Sequence, residues 1–159
     1  MTYKTNTDPI SIKDSLVALP FFDKCQASEL DELTKRLELR QYAKGEFVFR
    51  EGEPGTFMGF VLRGTLEVMK ENAKGQLKSL VLIKKGFAFG EMALVDNYAR
   101  SATIMAKEPC ILLALSKQCL EELVEQHPEI AVKIWQGISR LLSLNLRRTS
   151  GALSDHIGR

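Results

Sequence analysis

The sequence predicts a mainly β domain with flanking helices, built as an antiparallel β-roll of jelly-roll type. Three observations predict it. Between Gln41 and Leu115, Gly45, Gly52, Gly55, Gly59, Gly64, Gly75, Gly86 and Gly90 punctuate the chain at short intervals. The runs between them are strand-length and rich in β-branched and aromatic residues. On either side, apolar residues recur at helical spacing instead. Many short strands joined by turn chemistry favour a closed roll or jelly-roll barrel.

The chain is expected to form a single domain over residues 1–159, long enough for a proper core. It divides into a helical region at 1–40, the roll at 41–115, two C-terminal helices at 116–148 and a tail at 149–159. Met1 to Pro9 reads as a loose polar leader without the apolar core of a signal peptide. Ile12, Leu16 and Leu19 then mark a short amphipathic helix stopped by Pro20. Ser28 is the expected N-cap of a second helix, with Leu30, Leu33 and Leu37 as its apolar stripe fading near Arg40. Strands follow at Phe47–Phe49, Phe57–Leu62, Thr65–Met69, Leu77–Ile83, Ser101–Ala106 and Ile111–Leu115. Ser116 can cap the next helix, and Pro128 suits the first turn of a longer one reaching about Arg148.

That long helix carries more apolar residues than one buried stripe requires. They run from Ile130 through Ile134, Trp135 and Ile138 to Leu146. The surplus implies a second covered surface, either a ligand pocket or another subunit. Thr149 to Arg159 is small and polar and reads as a frayed end.

Composition narrows the function classes. A net charge of +2 argues against a protein built mainly to coat nucleic acid. The longest apolar runs, such as Ile111–Leu115, are too short to span a bilayer, so a cytoplasmic location without membrane contact is expected. Cys25, Cys110 and Cys119 are odd in number and widely spaced, which favours buried free thiols over a metal site. His127 and His156 both lie outside the strand-like runs, so neither a metal nor a catalytic centre is expected.

The chemistry concentrates between Phe89 and Ile104. A glycine turn and a carboxylate, Gly90-Glu91, open a short apolar turn of helix. A polar loop then leads to Arg100 at the mouth of a strand. Carboxylates accept hydrogen bonds from sugar hydroxyls, while helix-start amides and a guanidinium suit a phosphate.

Several motifs recur around this stretch: Tyr42-Ala43-Lys44-Gly45-Glu46, Phe49-Arg50-Glu51-Gly52-Glu53-Pro54-Gly55, Leu62-Arg63-Gly64, Lys85-Gly86, Phe89-Gly90-Glu91 and Arg100-Ser101-Ala102-Thr103. With them, residues 41–142 resemble the cyclic nucleotide-binding domain of the catabolite activator protein, kinase regulatory subunits and nucleotide-gated channels. The run FGEMALVDNYARSATI resembles the family's phosphate-binding cassette. Glu91 to Arg100 inside the glycine framework is the specific part; a lone Gly-Glu is weak.

The resemblance implies a cyclic nucleotide ligand, with Glu91 on the ribose 2′-hydroxyl and Arg100 on the cyclic phosphate. It counts Phe89, Gly90 and Ala102 among the ligand-binding residues, sets the amides of Met92 and Ala93 on the phosphate, and has Ser101 add a hydroxyl donor to phosphate or base. Val81 would line the apolar base pocket. Leu141 and Asn145, one turn apart on the long helix, would close over the base. Leu141 has a dimer seam as its rival role, and Asn145 ordinary exposure on a helix. Ser101, where some cyclic GMP-selective kinases have threonine, leans towards cyclic AMP, with cyclic GMP as the alternative. Gly59 departs from members that carry an aromatic residue before the Phe60-Val61 strand, and touches none of the expected ligand contacts.

The implied function is a non-catalytic sensor that relays binding through its C-terminal helix to a homodimer or an unknown downstream protein. Direct DNA binding is not expected, because only a short tail follows the helix after which the family's transcription factors add a helix-turn-helix domain. The competing readings are a nucleotide-free scaffold of the same fold and the sensor part of a longer transcription regulator. A cupin-type enzyme is disfavoured by the absence of histidine from the strand-like runs.

Overall fold

A computed structural model describes residues 9–158. The leader, apart from Pro9, lies outside them. Two four-stranded antiparallel sheets form the roll, and they leave it open rather than closed as a barrel. One sheet has the order β1 (Glu38–Tyr42), β8 (Cys110–Ser116), β3 (Phe57–Arg63), β6 (Ala88–Phe89). The other runs β2 (Phe47–Phe49), β7 (Thr103–Ala106), β4 (Leu66–Glu71), β5 (Leu77–Ile83). Helices α1 (Ile12–Ala18) and α2 (Ala27–Thr34) precede the roll, and α3 (Met92–Val95) interrupts it. Helices α4 (Lys117–Gln126) and α5 (Pro128–Ile157) follow.

Strands β3 and β8 are buried on both faces because successive side chains point to opposite sides of a sheet. Phe57 and Val61 from β3, with Cys110, Leu112 and Ala114 from β8, fill the roll interior. The residues between them, Met58, Phe60, Leu113 and Leu115, face the helices instead. Phe60 is fully buried, with the rings of Phe21 and Phe22 at 5.0 and 5.1 Å. Beside it, Gly59 has no side chain because the Phe89 ring occupies the space: a Cβ there would sit 2.4 Å from Phe89 Cζ. The departure at Gly59 therefore seats a residue of the cassette.

Helix α5 docks through Ile130, Ala131, Ile134 and Ile138, all buried with Leu120 and Leu123 of α4 and Leu16, Leu30 and Leu33 of α1 and α2. Lys133 Nζ, 2.6 Å from Glu29, ties α5 to α2, and Arg36 joins α2 to Glu122 and Gln126 of α4. The apolar surplus of α5 is concentrated at its far end. Side chains from Ser143 to Gly158 are all exposed, including Leu144, Leu146, Leu153 and Ile157. No helix among the described residues is long and apolar enough to cross a membrane.

Local expectations were met at Ser116, which caps α4 by accepting from the Cys119 amide at 3.0 Å, and at Pro128, which starts α5. Three were not. Helix α2 begins two residues earlier than a Ser28 cap would allow. Gln26 is the N-cap, and its amide donates to Glu29 Oε2 at 2.7 Å. This helix also ends at Thr34, so Leu37 is buried outside it and β1 starts at Glu38 instead of the roll beginning at Gln41. The tail from Thr149 is helical to Ile157 rather than frayed. Extending a formed helix adds a hydrogen bond per residue without a new nucleation cost. The Thr149 hydroxyl donates to the Asn145 carbonyl at 3.0 Å within the helix.

Two substitutions test this packing. Gly59→Ala should destabilise the fold by about 1–3 kcal/mol as the Phe89 ring is displaced, read as a lower urea midpoint with unchanged slope. Gly151→Ala, at an exposed helical position with open space around it, should stabilise the end of α5 by about 0.5–1 kcal/mol. Amide exchange across 149–157 should slow accordingly, whereas a frayed tail would exchange freely in both proteins.

Candidate nucleotide-binding site

Gly90 opens the cassette with φ +72°, a conformation L side chains rarely adopt, and this turns the chain from β6 into α3. Helix α3 is a single turn. The Ala93 amide closes back on the Gly90 carbonyl at 3.3 Å and the Leu94 amide on that of Glu91 at 3.1 Å. Leu94 is buried in the helical core, so the turn is anchored from behind. The loop beyond is pinned by Lys117, whose Nζ donates to Asn97 Oδ1 at 2.6 Å and to the Asp96 carbonyl at 3.3 Å.

Arg100 is held through its backbone and its side chain. Its amide donates to the Glu53 carbonyl at 2.8 Å, and its carbonyl accepts from the Gly52 amide at 2.9 Å. The residue is 7% exposed. Its guanidinium lies over the Phe49 ring, 3.7 Å from the centroid, with Phe57 at 5.0 Å. Nη2 donates to the Phe57 carbonyl at 2.7 Å and Nη1 to that of Gly90 at 3.3 Å. Among the described residues no carboxylate oxygen lies within 4.0 Å of it. Its Nε is the single buried side-chain nitrogen or oxygen there without a hydrogen-bond partner.

Burial lowers the Arg100 pKa to about 10, with Arg40 adding to that effect and Glu53 and Glu91 opposing it. The group stays cationic at neutral pH. Isolated buried charges are strongly unfavourable, and cation–π contact plus two carbonyls only partly compensate. The guanidinium keeps one donor, Nε, that no group among the described residues satisfies.

Glu91, the other charged residue of the pair, is 8% exposed. Its Oε1 accepts from Asn145 Nδ2 of α5 at 2.9 Å. The structure thus gathers Phe89, Gly90, Glu91, Ala93, Arg100 and Asn145 into one region. Phe89 enters it through its backbone; its ring is buried with Phe49 and Phe57 in the roll. The other expected residues have different surroundings. Val81 is 56% exposed on edge strand β5. Leu141 packs half-buried against the helical core. Met92 and Ser101 are exposed, Ala102 is half-buried, and the Ser101 carbonyl accepts from Lys70 Nζ at 3.0 Å.

Phe49 and Phe57 escaped the sequence reading as site residues. Both are visible as aromatics at strand positions, but nothing local says that an arginine more than forty residues later lies against them. An open concavity of about 820 Å³ near β1 and β2 shares Phe49 and Glu53 with the arginine's surroundings. It contains neither Glu91 nor Arg100, so the cassette, where buried charge is concentrated, defines the site. Among the described residues no cluster of His, Cys, Asp or Glu has the arrangement of a metal site.

Comparison with known proteins shows the family. Residues 39–127 match the family described as the cyclic nucleotide-binding domain. A cyclic nucleotide-gated potassium channel of Mesorhizobium japonicum is 35% identical over 116 residues, covering 73% of this chain and 31% of the channel. The cyclic AMP receptor protein of Thermus thermophilus is 30% identical over 128 residues, covering 80% of this chain and 57% of the receptor. The chain therefore spans less than two thirds of either relative. A cyclic nucleotide-binding domain from Methylobacillus flagellatus superposes with a TM-score of 0.80 at 21% identity, over 92% of this chain and 82% of that one, and shares the fold. The matched span contains the cassette with Glu91 and Arg100 and all eight strands of the roll except the first residue of β1, and by that match the chain belongs to the cyclic nucleotide-binding domain family.

Proposed function

We propose that this domain is a non-catalytic cytoplasmic sensor that binds a cyclic nucleotide, cyclic AMP in preference to cyclic GMP. The observation that carries the reading is Arg100, a buried guanidinium that among the described residues has no carboxylate within reach and an unpartnered Nε. A cyclic phosphate offers that nitrogen a charge-assisted acceptor. Glu91 faces the same region and would accept from the ribose 2′-hydroxyl. The apolar side chain of Val81, exposed on β5, would line the pocket for the base. The preference for adenine rests on Ser101 and on the kinship with a protein named as a cyclic AMP receptor.

In this reading, binding is relayed through α5. Its far half is exposed and carries Leu144, Leu146, Leu153 and Ile157 among polar residues, a surface for a second copy of the chain or for a downstream protein. Ile138, on the same helix, is 1% exposed and packs within the chain, so dimerisation has to be tested further along. If the far half pairs two copies, the wild type should sediment as a dimer and Leu146→Glu as a monomer. A monomeric wild type would instead leave that face to another protein.

Calorimetry with cyclic AMP and cyclic GMP tests the ligand. Wild type should bind cyclic AMP more tightly, and Arg100→Ala should weaken binding at least tenfold, since a hydrogen bond to a charged group contributes roughly 1.5–3 kcal/mol. A wild type that binds neither nucleotide would sink the sensor reading in favour of an interaction scaffold of the same fold.

A further inference from the structure

Between Glu91 and Arg100 the cassette leaves the core. Ala93 and Leu94 are buried and hold the turn of α3, but Val95, Asn97, Tyr98 and Ala99 are all exposed. Asp96 donates its amide to the Met92 carbonyl at 3.2 Å and accepts from the Tyr98 amide at 3.1 Å. Both bonds are internal to the cassette, so they shape the loop without placing it. Among the described residues, Lys117 is the one side chain from elsewhere that hydrogen bonds to residues 95–99, through Asn97 Oδ1 and the Asp96 carbonyl. We propose that Lys117 is a positioning residue for the nucleotide: by holding Asp96 and Asn97 it fixes the loop between Glu91 and Arg100, and so the spacing of the carboxylate and the guanidinium. The proposal rests on the sensor reading and adds to it a residue outside the cassette on which affinity depends.

A second observation supports this: the backbone of the lysine is itself fixed. Its amide donates to the Thr56 carbonyl at 2.8 Å, and its neighbour Ser116 pairs with Phe57 across β3 and β8. Ser116 also caps α4, whose Cys119 and Leu120 are buried directly after it. Phe57 is the residue whose carbonyl accepts from Arg100 Nη2. The head group of the arginine and the loop leading to it are therefore tied to the same corner, where β3 begins and β8 passes into α4. Ordering an exposed loop costs conformational entropy, and a bond within the chain supplies that order in place of the ligand. Without the lysine, binding has to order the loop, and affinity falls.

Two rival roles make different predictions. A lysine acting on the phosphate through its charge would not need Asn97, and one supporting only the fold would change stability without changing affinity. Calorimetry should give cyclic AMP binding about fivefold weaker for Lys117→Met than for wild type, the size expected of one intramolecular hydrogen bond. Lys117→Arg should recover most of that loss. Asn97→Ala, at an exposed loop position, should also weaken binding. The double variant should bind as Lys117→Met does, because Asn97 acts only through the lysine. Amide exchange at residues 95–99 should be faster in Lys117→Met and unchanged in β3 and β8. Wild-type affinity in Lys117→Met, even with a lower urea midpoint, would overturn the proposal and leave a structural lysine. Wild-type affinity in Asn97→Ala beside a weakened Lys117→Met would overturn it in favour of a direct charge effect. Additive losses in the double variant would overturn it too. If the wild type binds no cyclic nucleotide, the sensor reading itself fails and the positioning role falls with it.

Discussion

The structure is arranged around a positive charge placed where a protein alone does not neutralise it. Arg100 is nearly inaccessible, yet its guanidinium meets an aromatic face and two backbone carbonyls rather than a carboxylate. Such a placement is unfavourable unless the surroundings are rigid enough to impose it. Each neighbouring element contributes to that rigidity. Strand β3 presents the Phe57 carbonyl, β2 presents the Phe49 ring, and the turn after β2 binds the arginine backbone on both sides. Gly90 completes the set, because a Cβ there would lie 2.8 Å from Arg100 Nη1. The roll is thus a frame for one cation, and the stability withheld at that point is available to an anionic ligand.

The frame also connects the cassette to the helices. Because β3 and β8 are buried on both faces, the roll interior and the helical core share the same two strands. Leu94 extends the link from the cassette itself, placing the turn that follows Glu91 against the core formed by α4 and α5. A shift of the cassette is therefore felt at packed side chains rather than lost in a loop. Interiors packed at this density transmit displacement because they have little free volume in which to absorb it.

The fold was legible where its signals are local. Glycine-punctuated runs located six strands, Ser116 and Pro128 marked the starts of α4 and α5, and the cassette identified its own charged residues. Misreadings arose where one signal had a near-equal competitor. Ser28 is the better cap by residue type, but Gln26 followed by Glu29 satisfies the helix start from a residue that ranks lower. Leu37 continues the stripe of α2 in sequence although the chain has already left the helix, because a buried leucine serves either conformation. The polar end of α5 looked like coil since exposed helix and coil share a composition. β6 is only two residues long and leaves no periodic trace.

The site was legible as a list of groups and not as a geometry. Glu91 and Arg100 could be named from the cassette, but their partners come from strands and a helix far away in sequence. Asn145 shows the difference most clearly. Family resemblance implies a place over the base, and its carboxamide meets Glu91, 54 residues away, a partner no local signal indicates. That single bond joins the far half of α5 to the cassette. Coupling between two sites is reciprocal, so a helix whose position alters nucleotide affinity is shifted by nucleotide to the same degree. A partner that captures the exposed Leu146, Leu153 and Ile157 would then also set the ligand concentration to which the domain responds.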